Sequence, residues 1–299
     1  MYKNSLIYPG PARFNKYIVL INECLTLCKK DKNPAKKLYQ TKVRSYLFML
    51  ESLARIYKKI HSKKAMKLLQ YEMKAMEDKL GKIDFYDGLN KQKPSKIFKT
   101  NYLKAIDELN TYLVTKKFLI ENTFLIFCNS TLKNIEWLSV KKDTKKIKKV
   151  IEQELKQIIK HIKTDEGIFD EIESGIHELR RDLRWISIYA ASLNGLLQLK
   201  KVEPTSEFKK YYISKVLNSP FNILPINTNK KIIPIQINSN NYYALSWIIM
   251  ELGVIKDKGL MVIESGKPNK KIISSLLQEA KTKTTQFVTD FDTKNWFVN

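Results

Sequence analysis

Residues 176–197 read IHELRRDLRWISIYAASLNGLL, and their spacing decides the fold class. Ile176, Leu179, Leu183, Ile186, Ala190, Leu193 and Leu197 recur at intervals of three and four, the period that lays one apolar stripe along an α-helix. Residues 35–62 carry the same count at Tyr39, Val43, Tyr46, Leu50, Leu53, Tyr57 and Ile60. Glycine and proline number nine each among 299 residues, and most of the prolines fall at 9–11, 94, 204–234 and 268, so long runs are open to helix. The pattern predicts helices over 13–30, 35–62, 63–80, 96–116, 117–138, 144–163, 168–200, 207–217, 241–252 and near 269–283. Residues 218–240 (NSPFNILPINTNKKIIPIQINSN) break the pattern with three prolines and Asn-rich punctuation, as an irregular excursion or a small β-hairpin does. The tail from 284 reads as extended or loosely docked. The expected class is all-α with one local interruption.

The two apolar stripes superpose with an offset of 140, which sets Leu179 on Tyr39, Leu183 on Val43 and Leu197 on Tyr57. Downstream of each stripe comes a second shared signal, LGKIDFYDGL at 80–89 and LGVIKDKGL at 252–260, now offset by 172. Gly81 and Gly253 read here as C-terminal helix caps. Together these signals predict a duplicated helical unit, 1–139 and 140–299, with 218–240 supplying most of the second copy's extra length.

Charge is the other strong statement. The chain holds 54 Lys+Arg against 30 Asp+Glu, a formal net charge of +24. Residues 1–64 carry 15 basic and 3 acidic side chains, 15 − 3 = 12, half of that excess. Such a bias points to a polyanionic partner, with lysine-rich solvated surface as the plain alternative. On the 176–197 helix, His177, Arg180, Arg181 and Arg184 fall within an arc of roughly 100°, nearly opposite the apolar stripe. Arginine presents a planar fork that matches phosphate oxygens, and several in succession track a chain of phosphates. Pairing of these arginines with Glu171, Glu173, Glu178 and Asp182 is the competing reading. In the first stretch, Lys37, Arg44, Arg55 and Lys59 lie away from the apolar stripe.

Other classes find less support. Phosphate-loop, HExxH and Gly-x-Ser-x-Gly motifs are missing, so the expectation is a binding protein, not an enzyme, with no cofactor and no metal. Asp84, Asp87 and Asp257 read as caps of following helices. His61 and His161 read as surface residues. Cys24, Cys28 and Cys128 are too few for a disulfide framework, so buried thiols in a reducing cytoplasm are expected. Neither a signal peptide nor a transmembrane helix is read in the chain.

The run H177-E-L-R180-R-D-L-R184-W resembles the His-x-x-Arg-x-x-x-Arg signature of the CHAD family, the conserved histidine α-helical domain. LGKIDFYDGL and LGVIKDKGL resemble that family's Leu-Gly followed by an acidic turn. The resemblance implies two pseudo-repeated four-helix bundles with a basic groove between them that binds inorganic polyphosphate. Carried over, His177, Arg180 and Arg184 would line it. In the first copy only Arg44 matches, opposite Arg184, while Lys37 and Gln40 stand opposite His177 and Arg180. A nucleic-acid-binding helical protein that recognises the phosphate backbone is the alternative, and a helical scaffold with incidental charge is a third. Lys141, Lys142, Lys145 and Lys146 read as the solvated start of a lysine-rich helix.

Overall fold

The computed structural model describes residues 8–92, 94–227, 232–264 and 269–298. It is predominantly helical, and its chain forms two compact units, Met1–Asp143 and Thr144–Asn299.

The first unit contains α1 (Pro9–Cys28), α2 (Pro34–Tyr39), α3 (Val43–Tyr57), α4 (Lys63–Gln92), α5 (Lys96–Thr115) and α6 (Thr123–Leu132). Proline at the first turn of α1 and α2 suits a position whose N–H has no helical partner. Asn33 caps α2 through the N–H of Lys36 at 3.0 Å, and Ser95 caps α5 through that of Phe98 at 3.1 Å. The helix expected over 35–62 is two helices. Thr41 Oγ1 donates to the Leu38 carbonyl at 2.7 Å and accepts from the Val43 N–H at 3.2 Å, so a threonine side chain competes with the helical ladder there. The buried stripe of α3 is accordingly Val43, Leu47, Leu50, Leu53, Ala54 and Tyr57, while Tyr39 and Tyr46 are only half-buried.

A polar knot lies in this unit's core. Arg13 Nη1 donates to Asp143 Oδ2 and to the Tyr57 hydroxyl, both at 2.6 Å, and that hydroxyl donates to Asp143 Oδ1 at 2.9 Å. Phe14, Tyr57 and Trp137 enclose it, and His61 stacks on Tyr57 with centroids 5.5 Å apart, which makes it half-buried instead of a surface residue. Gly10 is required here, because a Cβ at that position would sit 2.4 Å from the Trp137 ring.

The helix α7 (Val140–Thr164) carries the chain into the second unit, which continues with a π-helical turn (Ile172–His177) and α8 (Glu178–Ser192). In that turn the Ile176 N–H donates to the Glu171 carbonyl five residues back, at 3.1 Å. The long helix expected over 168–200 stops at Ser192, because Asn194 and Gly195 take left-handed backbone angles, φ +51 and +85. Then follow β1 (Leu197–Lys200), α9 (Ser206–Lys209), α10 (Ser214–Leu217), a 3-10 turn (Pro220–Asn222), β2 (Ile235–Asn238), α11 (Ser239–Glu264), α12 (Lys270–Asp290) and β3 (Phe297–Val298).

Among the described residues of 218–240 the one strand, β2, finds its partners outside the stretch, so the irregular excursion holds there and the hairpin does not. β2 pairs in parallel with β1, Leu197 opposite Ile235, and antiparallel with β3, Ile237 opposite Phe297. The tail beyond 284 is also more ordered than expected: α12 runs to Asp290, and Trp296 is buried before the last strand. Apolar alternation over only four residues is too short to distinguish a strand from irregular chain by its own pattern. Partners distant in sequence decided it.

Gly81 and Gly253 end no helix. α4 and α11 run through them.

Candidate functional site

Each of these two glycines marks the place where an arginine crosses a helix. In the first unit Arg44 of α3 lies on α4 at Gly81, where a Cβ would approach Nη2 to 2.9 Å. Its Nε donates to Glu77 Oε1 at 2.9 Å, one turn before the glycine, and its Nη1 to Asp84 Oδ2 at 2.6 Å. In the second unit Arg180 of α8 lies on α11 at Gly253, where a Cβ would come 2.9 Å from Nε. That Nε donates to the Ile249 carbonyl at 3.0 Å, again one turn before the glycine. Burial pulls the Arg180 guanidinium below its ordinary value, and the Asp257 carboxylate opposes that pull.

The cationic arc expected around His177 is consequently broken up by internal partners. His177 ends the π-helical turn, so its phase departs from a count at 100° per residue. Its Nδ1 lies 3.0 Å from Glu173 Oε1. Arg181 forms an ion pair with Glu178, three residues back, one of the carboxylates of the competing reading. Arg184 is half-buried beside Trp185, which is buried and offers no stacking surface. In the first unit Arg44 is held by two carboxylates, and Lys37 is exposed on α2. Arg55 and Lys59 stand at the α3–α4 corner with Lys58, Lys63, Lys64 and Lys67, and the sequence has no Asp or Glu between Glu51 and Glu72.

The aspartates read as caps lie inside helices and pair there. Asp84 meets Arg44, Asp87 meets Lys91 at 2.7 Å and the Tyr39 hydroxyl at 2.9 Å, and Asp257 meets Lys256 at 2.7 Å. Cys24, Cys28 and Cys128 are buried free thiols, and burial pushes Cys28 up to about 11. Among the described residues, no three His, Cys, Asp or Glu side chains cluster as metal ligands.

A different set of cations does converge. Along α7, Lys145, Lys146, Lys149, Lys156, Lys160 and Lys163, with Gln153 between, fall within an arc of roughly 100° at the helical period. This arc lies opposite the buried Ile147, Val150, Ile151, Leu155, Ile159 and Ile162. All six lysines are exposed, and among the described residues none of them forms an ion pair. From Lys146 to Lys163 the row is about 26 Å long at 1.5 Å per residue. Glu152 is the carboxylate nearest in phase, just outside the arc. At the C-terminal end a cleft of about 270 Å³ is lined by Lys156, Ile159, Lys160, Lys163, Thr164 and Thr293. The sequence reading passed over this row because it took α7 only as lysine-rich. The interval count applied to apolar residues, applied to lysine, would have found it.

Neither a family model nor a curated protein nor a solved structure matches this chain.

Proposed function

We propose that this protein binds a linear, phosphate-rich polyanion of the inorganic polyphosphate kind, and that it does so without catalysis. The observation that carries this reading is the lysine row of α7, six exposed ammonium groups without carboxylate partners among the described residues. Ammonium groups at successive helical turns neutralise successive charges along an extended anion, and release of its counter-ions drives association. The row holds no aromatic side chain, as suits a chain of phosphates without bases. The basic α3–α4 corner, with Lys59, Lys63, Lys64 and Lys67 exposed, adds a second cationic surface on the first unit, where Arg55 is half-buried and faces Glu51. The arc around His177 contributes less, since His177, Arg180 and Arg181 already face acceptors of this chain.

The same proposal holds the two units to be copies of one helical element. What supports it is the recurrence of an arginine crossing a helix glycine with its acceptor one turn earlier: Arg44, Gly81 and Glu77, then Arg180, Gly253 and Ile249. The register this favours is 180 − 44 = 136, one turn from the 140 expected from the apolar stripes. It sets Thr41 opposite His177 and Phe48 opposite Arg184, so the CHAD-like signature is fuller in the second copy.

One observation favours the nucleic-acid reading instead. Tyr71 is 68% exposed, one turn beyond Lys67 on α4, and offers a face for a base. Competition between long-chain polyphosphate and a single-stranded oligonucleotide of equal charge separates the two. Polyphosphate is expected to displace the oligonucleotide. The reverse order transfers the function to nucleic acid, and no saturable binding of either removes the proposal.

A further inference from the structure

Between Glu207 and Glu251 the sequence contains no Asp or Glu and five lysines. Within this acid-free stretch lie four large apolar side chains that face outward. Phe221 is 70% exposed, Ile223 76%, Ile226 80% and Ile233 84%. Single exposed apolar residues are ordinary, but four so near in sequence mark a surface meant for contact.

The backbone that carries them is tied down. Asn222 is buried, and its Nδ2 donates to the Val216 carbonyl at 2.7 Å and to Ser246 Oγ at 2.9 Å. The Tyr242 hydroxyl donates to the Phe221 carbonyl at 3.4 Å. Gln198 Nε2 donates to the Pro225 carbonyl at 2.7 Å, and Asn227 Nδ2 to that of Ile232 at 2.7 Å. Gly195, already required by its positive φ, lets the chain pass so close that a Cβ would sit 2.6 Å from Asn227 Cα. Polar groups thus point in and hold the segment, while its isoleucines point out. That is the reverse of the usual division: the Asn222 amide nitrogen points in and is hydrogen-bonded, while its Oδ1 is buried without a hydrogen-bond partner among the described residues.

We infer that this apolar edge inserts into the interfacial layer of an anionic lipid bilayer. Exposed aliphatic side chains fit the acyl boundary, and the lysines of the same stretch fit anionic headgroups. Lys209 and Lys215, exposed in the same acid-free stretch, supply local attraction, and the net charge of +24 supplies it at long range. Attachment is peripheral: among the described residues no helix is long and apolar enough to cross a membrane. This inference is independent of polyphosphate binding, and either one can fail alone.

The test uses the full chain and vesicles of phosphatidylcholine, with and without phosphatidylserine, at 0.15 M salt. A Phe221→Trp variant is expected to shift its emission to the blue on phosphatidylserine vesicles, beyond any change in the parent protein. The combined variant Ile223→Ser/Ile226→Ser/Ile233→Ser is expected to lose at least tenfold in vesicle affinity while keeping its melting profile and polyphosphate affinity. Vesicle binding undiminished in that variant means that charge alone attracts the protein, and overturns insertion. Self-association of the parent, lost in the variant and unaccompanied by vesicle binding, assigns the edge to a second copy and overturns it equally.

Discussion

Arg180 lies across Gly253, its Nε 2.9 Å from where a Cβ of that residue would stand and 3.0 Å from the Ile249 carbonyl. A missing side chain on one helix thus makes room for a charged one from another, and the carbonyl one turn earlier accepts its hydrogen bond. Arg44 and Gly81 stand in the same relation, with Glu77 as acceptor. These arginines hold helices together, which is why they are poor candidates for gripping a ligand.

Glycine substitutions test that reading. Gly88 has open space around its Cβ position, so Gly88→Ala is expected to stabilise the protein by about 0.5–1 kcal/mol through helix propensity. Gly253→Ala displaces Arg180 and is expected to show none of that gain. In an Arg180→Ala background the gain should return, and denaturant titration of the four variants measures the coupling. Equal gains at both glycines in the parent would show that Arg180 is not held.

Arg180→Met should lower stability by about 1–3 kcal/mol, the scale of a hydrogen bond from a charged donor, and leave polyphosphate affinity almost unchanged. Isothermal titration beside a melting curve separates the effects. Loss of affinity with an unchanged melt would return the site to the His177 arc, as would a loss of about 1–3 kcal/mol in binding by Arg184→Glu alone.

Lys149→Gln/Lys156→Gln/Lys163→Gln should weaken polyphosphate binding and flatten its salt dependence. Each phosphate contact removed is expected to lower the slope of log K against log salt by about 0.7–0.9. Binding measured from 50 to 200 mM salt reads it, and an unchanged slope places the contacts elsewhere.

The buried trio in the first unit predicts unequal losses. Asp143→Asn strips the charge facing Arg13, which is itself buried, and is expected to cost about 3–5 kcal/mol. Tyr57→Phe removes one hydroxyl from the knot and should cost about 1–3 kcal/mol. Urea midpoints for the two variants check the order.

Glu51 supplies a pH dependence. Burial pushes its carboxyl from an ordinary 4.5 up to about 7, against the attraction of Arg55. Between those values the folded state binds the proton more tightly than the unfolded chain, so its contribution falls as pH rises from about 4.5 through 7. The loss is on the order of 3 kcal/mol when complete. Glu51→Gln should therefore be more stable than the parent at pH 8 and differ little at pH 4.5. Parallel stability curves for the two proteins across that range would rule out a raised Glu51.

Much of the helical content was legible because an amphipathic helix writes its period into the sequence. α5 and α7 fall within a few residues of the expected bounds. In α3 four members of the expected stripe, Val43, Leu50, Leu53 and Tyr57, are buried, but Leu47 is buried in place of Tyr46 and Tyr39 lies across a break that Thr41 imposes. Of the candidate site, Arg44 and Arg180 stood out by type, but their engagement by acceptors on other helices was not readable. Helical phase gives the direction of a side chain, not what stands opposite it.

The amino-acid sequence alone determined the helical class and the large positive charge, and it also contained the lysine row of α7, unread until the structure gave its exposure, because each depends on composition or on neighbours within one helix. Tertiary structure alone decided that Gly81 and Gly253 are crossing points instead of caps, that Leu197–Lys200 joins a sheet, and that Arg44 and Arg180 meet acceptors on other helices. For the crossing points, the sheet and the two clamped arginines, the contact lies tens of residues away along the chain. Arg181 instead meets Glu178 three residues back on α8, a pairing that the helical period itself brings together.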